Sequence, residues 1–233
     1  MKLRVHMLVF AALASAAPAF SQPITVDGPF QVRYASNLIT GGDAVVNITN
    51  TGASSTALLT GQIPPQNNIN GSICVNIYTF VADEQEIACC SCLVTPNALW
   101  SASVKTGLLN STLTPSFPNE VVIKLISTPP IVGTSGVQSC NPAQIQVTAG
   151  MTNAQALALT TNGLLAWGTS VHGFPTAIGP SFQMAETPFL PATLSSAELL
   201  RDVQECTFIQ ILGSGQFGIC KGCSNSGLGA NAE

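Results

Sequence analysis

Hydrophobic and polar side chains alternate with a period of two over much of the chain after residue 29. In residues 30–35, Phe30, Val32 and Tyr34 fall on one face and Gln31 and Arg33 on the other, which predicts a half-buried strand. Gly41, Gly42 and Asp43 signal a turn, and residues 44–49 predict a second strand closed by Asn50, Thr51 and Gly52. Residues 51–72, rich in Thr, Gly, Pro and Asn, predict a loop. Residues 73–80 have strong β propensity. The run Asp83, Glu84, Gln85, Glu86 separates them from residues 87–94, so the two stretches predict a hairpin with acids at its solvated tip. Residues 99–105 alternate again, with Trp100, Ala102 and Val104 inward, and residues 120–126 predict another strand bounded by prolines. Residues 127–150 are loop-like, residues 164–174 predict a strand carrying Trp167 and His172, and residues 175–194, with four prolines, predict irregular chain.

Helical signals are few. Thr152 to Gln155 has the form of a capping box before a short apolar run. Ser195 to Glu198 repeats that form, and Leu199, Leu200, Val203 and Cys206 to Ile209 follow at near-helical spacing, so a helix is predicted near 195–211. Short strands separated by turn signals predict a mainly β fold, an antiparallel β-sandwich of immunoglobulin-like type with a short C-terminal helix.

The first 21 residues have the form of a secretory signal peptide: basic Lys2 and Arg4, an apolar stretch from Val5 to Ala14, then small Ala19 and Ser21 before the expected cut. Residues 22–223 are then one domain, and 224–233 a disordered tail. No later stretch is long and apolar enough to span a bilayer as a helix. Removing Lys2 and Arg4 leaves five basic against eleven acidic side chains, a net charge of −6. That balance offers nothing to nucleic acid. Between Leu125 and Ala185 lie 61 residues without Asp, Glu, Lys or Arg, so the surface there is built from amides, hydroxyls and apolar groups.

Export changes the meaning of the eight cysteines, Cys74, Cys89, Cys90, Cys92, Cys140, Cys206, Cys220 and Cys223. An oxidising compartment lets disulfides persist, and an even count in the mature chain favours a disulfide framework whose connectivity the sequence leaves open. On a strand, Cys90 and Cys92 share one face and Cys89 takes the other, so the cluster is placed to staple two layers of the sandwich. The rival reading makes Cys89, Cys90, Cys92 and the Cys220/Cys223 pair thiolate ligands for zinc or an iron–sulfur cluster.

Catalytic signals are poor. Cys220 and Cys223 have thiol–disulfide exchange spacing, but no helix follows to stabilise a thiolate. Gly213 to Gly218 matches a dinucleotide fingerprint without the strand and helix it needs. The mature chain has one histidine, His172, and no nucleophile elbow. Glu84 and Glu86 are candidates for a glycoside-hydrolase pair, or with Asp83 for a calcium site, against the simpler reading of a solvated tip. The sequence therefore singles out no catalytic, metal or cofactor-binding residue. It favours a secreted, non-catalytic protein that binds, or builds structure, by contact at the cell surface or beyond it. Trp167, Phe174 and Phe182 are the candidate anchors, and glycans, other surface proteins or further copies of the chain are the partners.

The blocks Gly71–Asn76, Cys89–Asn97, Glu120–Leu125 and Gly218–Cys223 resemble a set of uncharacterised secreted, cysteine-containing proteins of soil bacteria, acidobacteria above all. The string from Cys89 through Asn97 is its most specific part. The resemblance implies a bacterial source, which leaves the sequons at Asn47, Asn70 and Asn110 idle, and it implies no activity.

Overall fold

The computed structural model describes residues 28–39, 42–55, 71–112, 116–133, 137–176, 178–212 and 220. The expected signal peptide, the Gly213–Gly218 stretch, Cys223 and the tail lie outside the described residues.

Eleven strands are described: β1 Phe30–Ala35, β2 Asp43–Asn50, β3 Ile73–Phe80, β4 Glu86–Val94, β5 Leu99–Ser103, β6 Val121–Thr128, β7 Ile131–Val132, β8 Gln138–Ser139, β9 Leu164–Thr176, β10 Gly179–Pro188 and β11 Leu190–Pro191. Two helices accompany them, α1 Asn153–Leu157 and α2 Ser196–Leu212. Sheet A has the order β11-β1-β6-β3-β4, sheet B the order β10-β9-β2-β5, and β7 and β8 form a small ribbon. Every pairing is antiparallel.

The two sheets pack face to face. Val46 and Ile48 of β2, Trp100 of β5 and Ala166 of β9 meet Val75 and Ile77 of β3 and Ile123 and Leu125 of β6 in one core. A second core lies on the other side of sheet A, where Phe30, Tyr78, Phe80 and Ile126 pack against Leu199, Val203 and Ile209 of α2. The molecule is therefore a sandwich with a helix layer over one outer face. Sheet A is buried on both sides along β3 and β4, at every position of those two strands. Their near-continuous apolar runs follow from that double burial, which removes the need to alternate.

The antiparallel sandwich and the C-terminal helix match the expectation. The immunoglobulin arrangement would put the first two strands in one sheet, whereas β1 lies in sheet A beside β6 and β2 lies in sheet B between β5 and β9.

Three local expectations need correction. The interval 175–194 is ordered as β10 and β11, because its prolines stand on edge strands or on the overhang of β9, where no second ladder needs their missing N–H. The strand expected over 99–105 stops at Ser103, whose hydroxyl accepts a 3.0 Å bond from Thr106 N–H and starts a π-helical turn over Val104–Leu108. In β1 the polar face is covered as well: Gln31 and Arg33 are buried against sheet B, while on the apolar face Phe30 is buried beneath α2 and Tyr34 is exposed. Gln31 Nε2 donates to Leu164 O at 2.7 Å, and Arg33 donates from Nη1 to Thr187 O at 2.6 Å and from Nη2 to Ser170 Oγ at 2.9 Å. These bonds offset most of the cost of burying polar groups that face sheet B, with Arg33 Nε left without a partner.

The capping box is complete at α1 and present in its serine half at α2, where the Glu198 carboxylate pairs with Lys124 instead. Thr152 and Gln155 exchange bonds at the start of α1, and Ser195 Oγ accepts from Glu198 N–H at 3.1 Å at the start of α2.

Candidate functional site

Glu86 is the least ordinary side chain in the described structure, and a one-residue irregularity puts it where it is. From Ile73 to Thr79, β3 pairs with β4 in strict register: Tyr78 stands opposite Cys89 and Thr79 opposite Ala88. Phe80 then pairs with Glu86, so Ile87 is an extra residue, a β-bulge. The bulge turns Glu86 onto the helix side of sheet A with Phe80, and sends Ile87 into the inter-sheet core. Strict alternation back from Cys89 would have done the reverse.

Glu86 is only 4% exposed, and neither carboxyl oxygen has a hydrogen-bond partner. Around it stands an ionic cluster shared by sheet A and α2. Lys124 of β6 bridges Glu198 at 2.9 Å and Asp202 at 3.1 Å, with its Nζ 4.2 Å from the centre of the Phe80 ring. Arg201 Nε donates to Glu205 Oε1 at 3.0 Å, and its Nη2 donates to the carbonyl of Glu84 at 2.9 Å. Burial, reinforced by the charges of Asp202 and Glu205, pushes the Glu86 pKa up to about 10, against the opposing pull of Lys124 and Arg201. Burial also lifts Asp202 to about 6, with Lys124 pulling the other way. At neutral pH Glu86 is a neutral carboxylic acid. A cleft of about 360 Å³ opens beside it, walled by Gln85, Gln204, Glu205, Phe208 and Ile209.

The expected acidic tip is thereby split. Asp83 and Glu84 are exposed in the turn, Glu84 with a positive φ of 66°, and Glu84 Oε2 lies 3.5 Å from Arg201 Nη1. Glu86 belongs to the strand. Solvation fits the first two and fails for the third, and the Glu84/Glu86 pair is divided between solvent and interior.

The cysteines form disulfides. Cys74 joins Cys140, Cys89 joins Cys206 and Cys90 joins Cys220, with Cα separations of 5.5, 5.8 and 5.3 Å. Cys92 is disulfide-bonded as well, and no cysteine among the described residues is free. Adjacent Cys89 and Cys90 point to opposite faces, as their positions on a strand require. The stapling differs from expectation, since both bonds tie β4 to the chain at and beyond α2 rather than to sheet B. Cys220 is buried and bonded to Cys90, so the Cys220/Cys223 pair is not an exchange site, and the described thiols are not available as metal ligands. The Cys89 and Cys206 sulfurs lie within 4.8 Å of a Glu86 oxygen, but as partners in one disulfide. Such bonds belong to an oxidising, non-cytoplasmic setting.

A second candidate surface is the outer face of sheet B. Register places Ser101, Asn47, Trp167 and Pro188 in one row across its four strands. Asn47 Oδ1 accepts from Ser101 Oγ at 2.7 Å, and its Nδ2 lies 3.4 Å from Thr169 Oγ1. Trp167 is half-buried in the middle of this row. Beyond Val171, β9 pairs only with β10, and the two run on as a hairpin that carries Phe174 on one face, Phe182 and Met184 on the other and a fully exposed Ile178 at its end. His172 sits at its root, with Nδ1 3.4 Å from Asn37 Nδ2.

Sequence reasoning missed the cleft. The usable signal was Asp202, which falls in the apolar stripe of Leu199, Val203, Cys206 and Ile209, together with Lys124 inside an apolar strand. A charge on each of two buried faces calls for a mutual partner.

No family model matches the chain, and no curated protein matches it. Among solved structures, the crystal structure of Thermotoga maritima 1070 is similar at 10% identity and a TM-score of 0.35, over 71% of this chain and 94% of that one. A likeness at that level assigns no function. No described helix is long and apolar enough to cross a membrane.

Proposed function

We propose that the chain is a secreted protein that acts by contact rather than catalysis, with the outer face of sheet B as its binding surface and glycans as the partner. The signal-like N-terminus and the disulfides support export. The observation that carries the binding reading is the row through Trp167. An indole in the middle of an open sheet, bordered by the amide of Asn47 and the hydroxyls of Ser101 and Thr169, matches what a sugar ring offers. The C–H face of the sugar stacks on the aromatic ring, and its hydroxyls bond the amides and alcohols. The only ionised group on the neighbouring row is Glu186, which accepts from Thr169 Oγ1 at 3.3 Å. Contacts of this kind are largely indifferent to salt.

Affinity electrophoresis of the purified protein against a panel of polysaccharides tests the reading. Retardation by at least one neutral polysaccharide is expected, unchanged between dilute and physiological salt and lost in Trp167→Ala. Hydrolysis of a glycoside or ester substrate that disappears in Glu86→Gln would overturn it in favour of an enzyme. Absence of binding to every neutral polysaccharide would remove the glycan partner.

A further inference from the structure

The cleft beside Glu86 lies on the other side of the molecule from Trp167, and what it takes is independent of the glycan reading. Four oxygen-bearing side chains line it as two consecutive pairs, Gln85 and Glu86 from the start of β4, and Gln204 and Glu205 from α2. Glu86 is more than nine-tenths buried with both oxygens unpartnered, and Glu205 Oε2 is buried and unpartnered as well. Buried carboxyl oxygens ordinarily meet donors or cations. The two nearby cations are committed elsewhere: Lys124 to Glu198 and Asp202, Arg201 to Glu84 and Glu205. Two acids and no base line the opening, and the two bases beyond it are shared among Glu84, Glu198, Asp202 and Glu205, so what the cleft lacks is positive charge.

The donor set narrows the class of cation. It is oxygen only: the Glu205 carboxylate, two amides, and Glu86, whose proton passes to solvent as the ion enters. His172 is far away on sheet B, and the Cys89 and Cys206 sulfurs are locked together. Oxygen sets select hard cations over zinc, copper or iron. Long Glu and Gln side chains at an open cleft suit the variable coordination of calcium better than the strict octahedron of magnesium. We propose that this cleft binds a calcium ion through the carboxylates of Glu86 and Glu205 and the amide oxygens of Gln85 and Gln204, with water filling the remaining positions. The ion then ties β4 to α2 beside the Cys89–Cys206 disulfide, with an affinity in the range of about 10⁻⁴–10⁻³ M common to extracellular calcium modules.

The test uses the oxidised full chain, stripped with EDTA and melted in calcium, magnesium or sodium chloride at matched ionic strength, and in putrescine. Calcium at about 10 mM should raise Tm by roughly 3–6 °C, with magnesium and sodium giving less than half of that. Equilibrium dialysis should find one calcium per chain. Glu86→Gln should stay folded and lose the calcium shift, while Glu186→Gln, on sheet B, should keep it. No calcium-specific rise in the wild-type protein overturns the proposal, as does a rise that survives in Glu86→Gln. Stabilisation by putrescine in place of calcium would make the cleft an organic-ammonium site and overturn it too.

Discussion

On the outer face of sheet A, Phe30, Tyr78, Phe80 and Ile126 lie beneath α2, whereas on the outer face of sheet B, Leu99, Trp167 and Met184 meet solvent. All four ion pairs among the described residues involve α2, and one disulfide fastens that helix to β4. The bare face has no ion pair and no disulfide among the described residues. A chain this short of charge spends it where a helix has to be held against a sheet. The polar groups of the bare face are mostly amides and hydroxyls that bond across strands, joined by the carboxylates of Glu186 and Asp43, which accept from Thr169 and Ser103. The covered face is thereby suited to carry stability, and the bare face is left available for contact.

The largest effect should come from cutting the staple. Cys89→Ser with Cys206→Ser removes a bond spanning 117 residues, and roughly 2–5 kcal/mol should go with it. Urea unfolding under non-reducing conditions measures this, and an unchanged midpoint would mean that α2 holds to sheet A by packing alone. Mapping of disulfide peptides belongs to the same experiment. Cys223 is the one cysteine left to partner Cys92, so a Cys92–Cys223 peptide is expected.

The second effect has the opposite sign. Folded Glu86 keeps its proton up to about pH 10, against 4.5 ordinarily. The unfolded chain therefore releases that proton first, and stability falls as pH rises from about 4.5 towards 10. Asp202, raised from 3.8 to about 6, adds to the fall over its own narrower window. At pH 7 the Glu86 penalty is roughly 3 kcal/mol as an upper figure. In EDTA, Glu86→Gln should raise the urea midpoint at pH 7, leave it near wild type at pH 4 and flatten the slope between. A variant less stable than wild type at pH 7 would show that the carboxyl has a partner, and the contrast between the two faces would soften.

The third effect tests the join between the sheets. A Cβ on Gly168 would overlap the Arg33 guanidinium, which is buried and held by Thr187 and Ser170. Gly168→Ala should cost about 1–3 kcal/mol by displacing it. Arg33→Met in the same background should recover part of that loss, and a Gly168→Ala protein that melts like wild type would show the guanidinium free to move.

Much of this architecture is legible in the sequence because period-two alternation and capping chemistry are local. β2 and β6 fall where their patterns place them, and Ser195 starts α2 within one residue of expectation. Opposite directions for Cys89 and Cys90 also follow from a strand. What local pattern does not carry is which face another layer will cover. Phe30, Val32 and Tyr34 look like the one buried face, yet sheet B covers Gln31 and Arg33 on the other, and on the apolar face α2 covers Phe30 while Tyr34 stays in water. Prolines at 180, 188 and 191 look like breakers until their strands turn out to be edges. The cleft is hidden most deeply, because one bulged residue reverses the parity of Glu86 and its neighbours come from strands and a helix about 40 to 120 residues away along the chain.

The smallest expected effect on stability lies at the end of the β9–β10 hairpin. Residues 172–176 of β9 have β10 as their single strand partner, and Ile178 and Phe182 touch neither described core. Replacing both with serine removes apolar surface that is already in water, so the folded and unfolded chains should lose about the same amount and the urea midpoint should move by less than about 0.5 kcal/mol. Solution behaviour should change more. Four exposed apolar side chains, Phe174, Ile178, Phe182 and Met184, stand on a hairpin with no charge before Glu186, and such a patch drives association when nothing covers it. Sedimentation velocity across a concentration series should therefore show weaker self-association for Ile178→Ser/Phe182→Ser than for wild type, at unchanged stability. A loss above about 1 kcal/mol would mean that the hairpin is folded against something, and the bare half of the molecule would then be load-sharing with the covered half rather than free for contact.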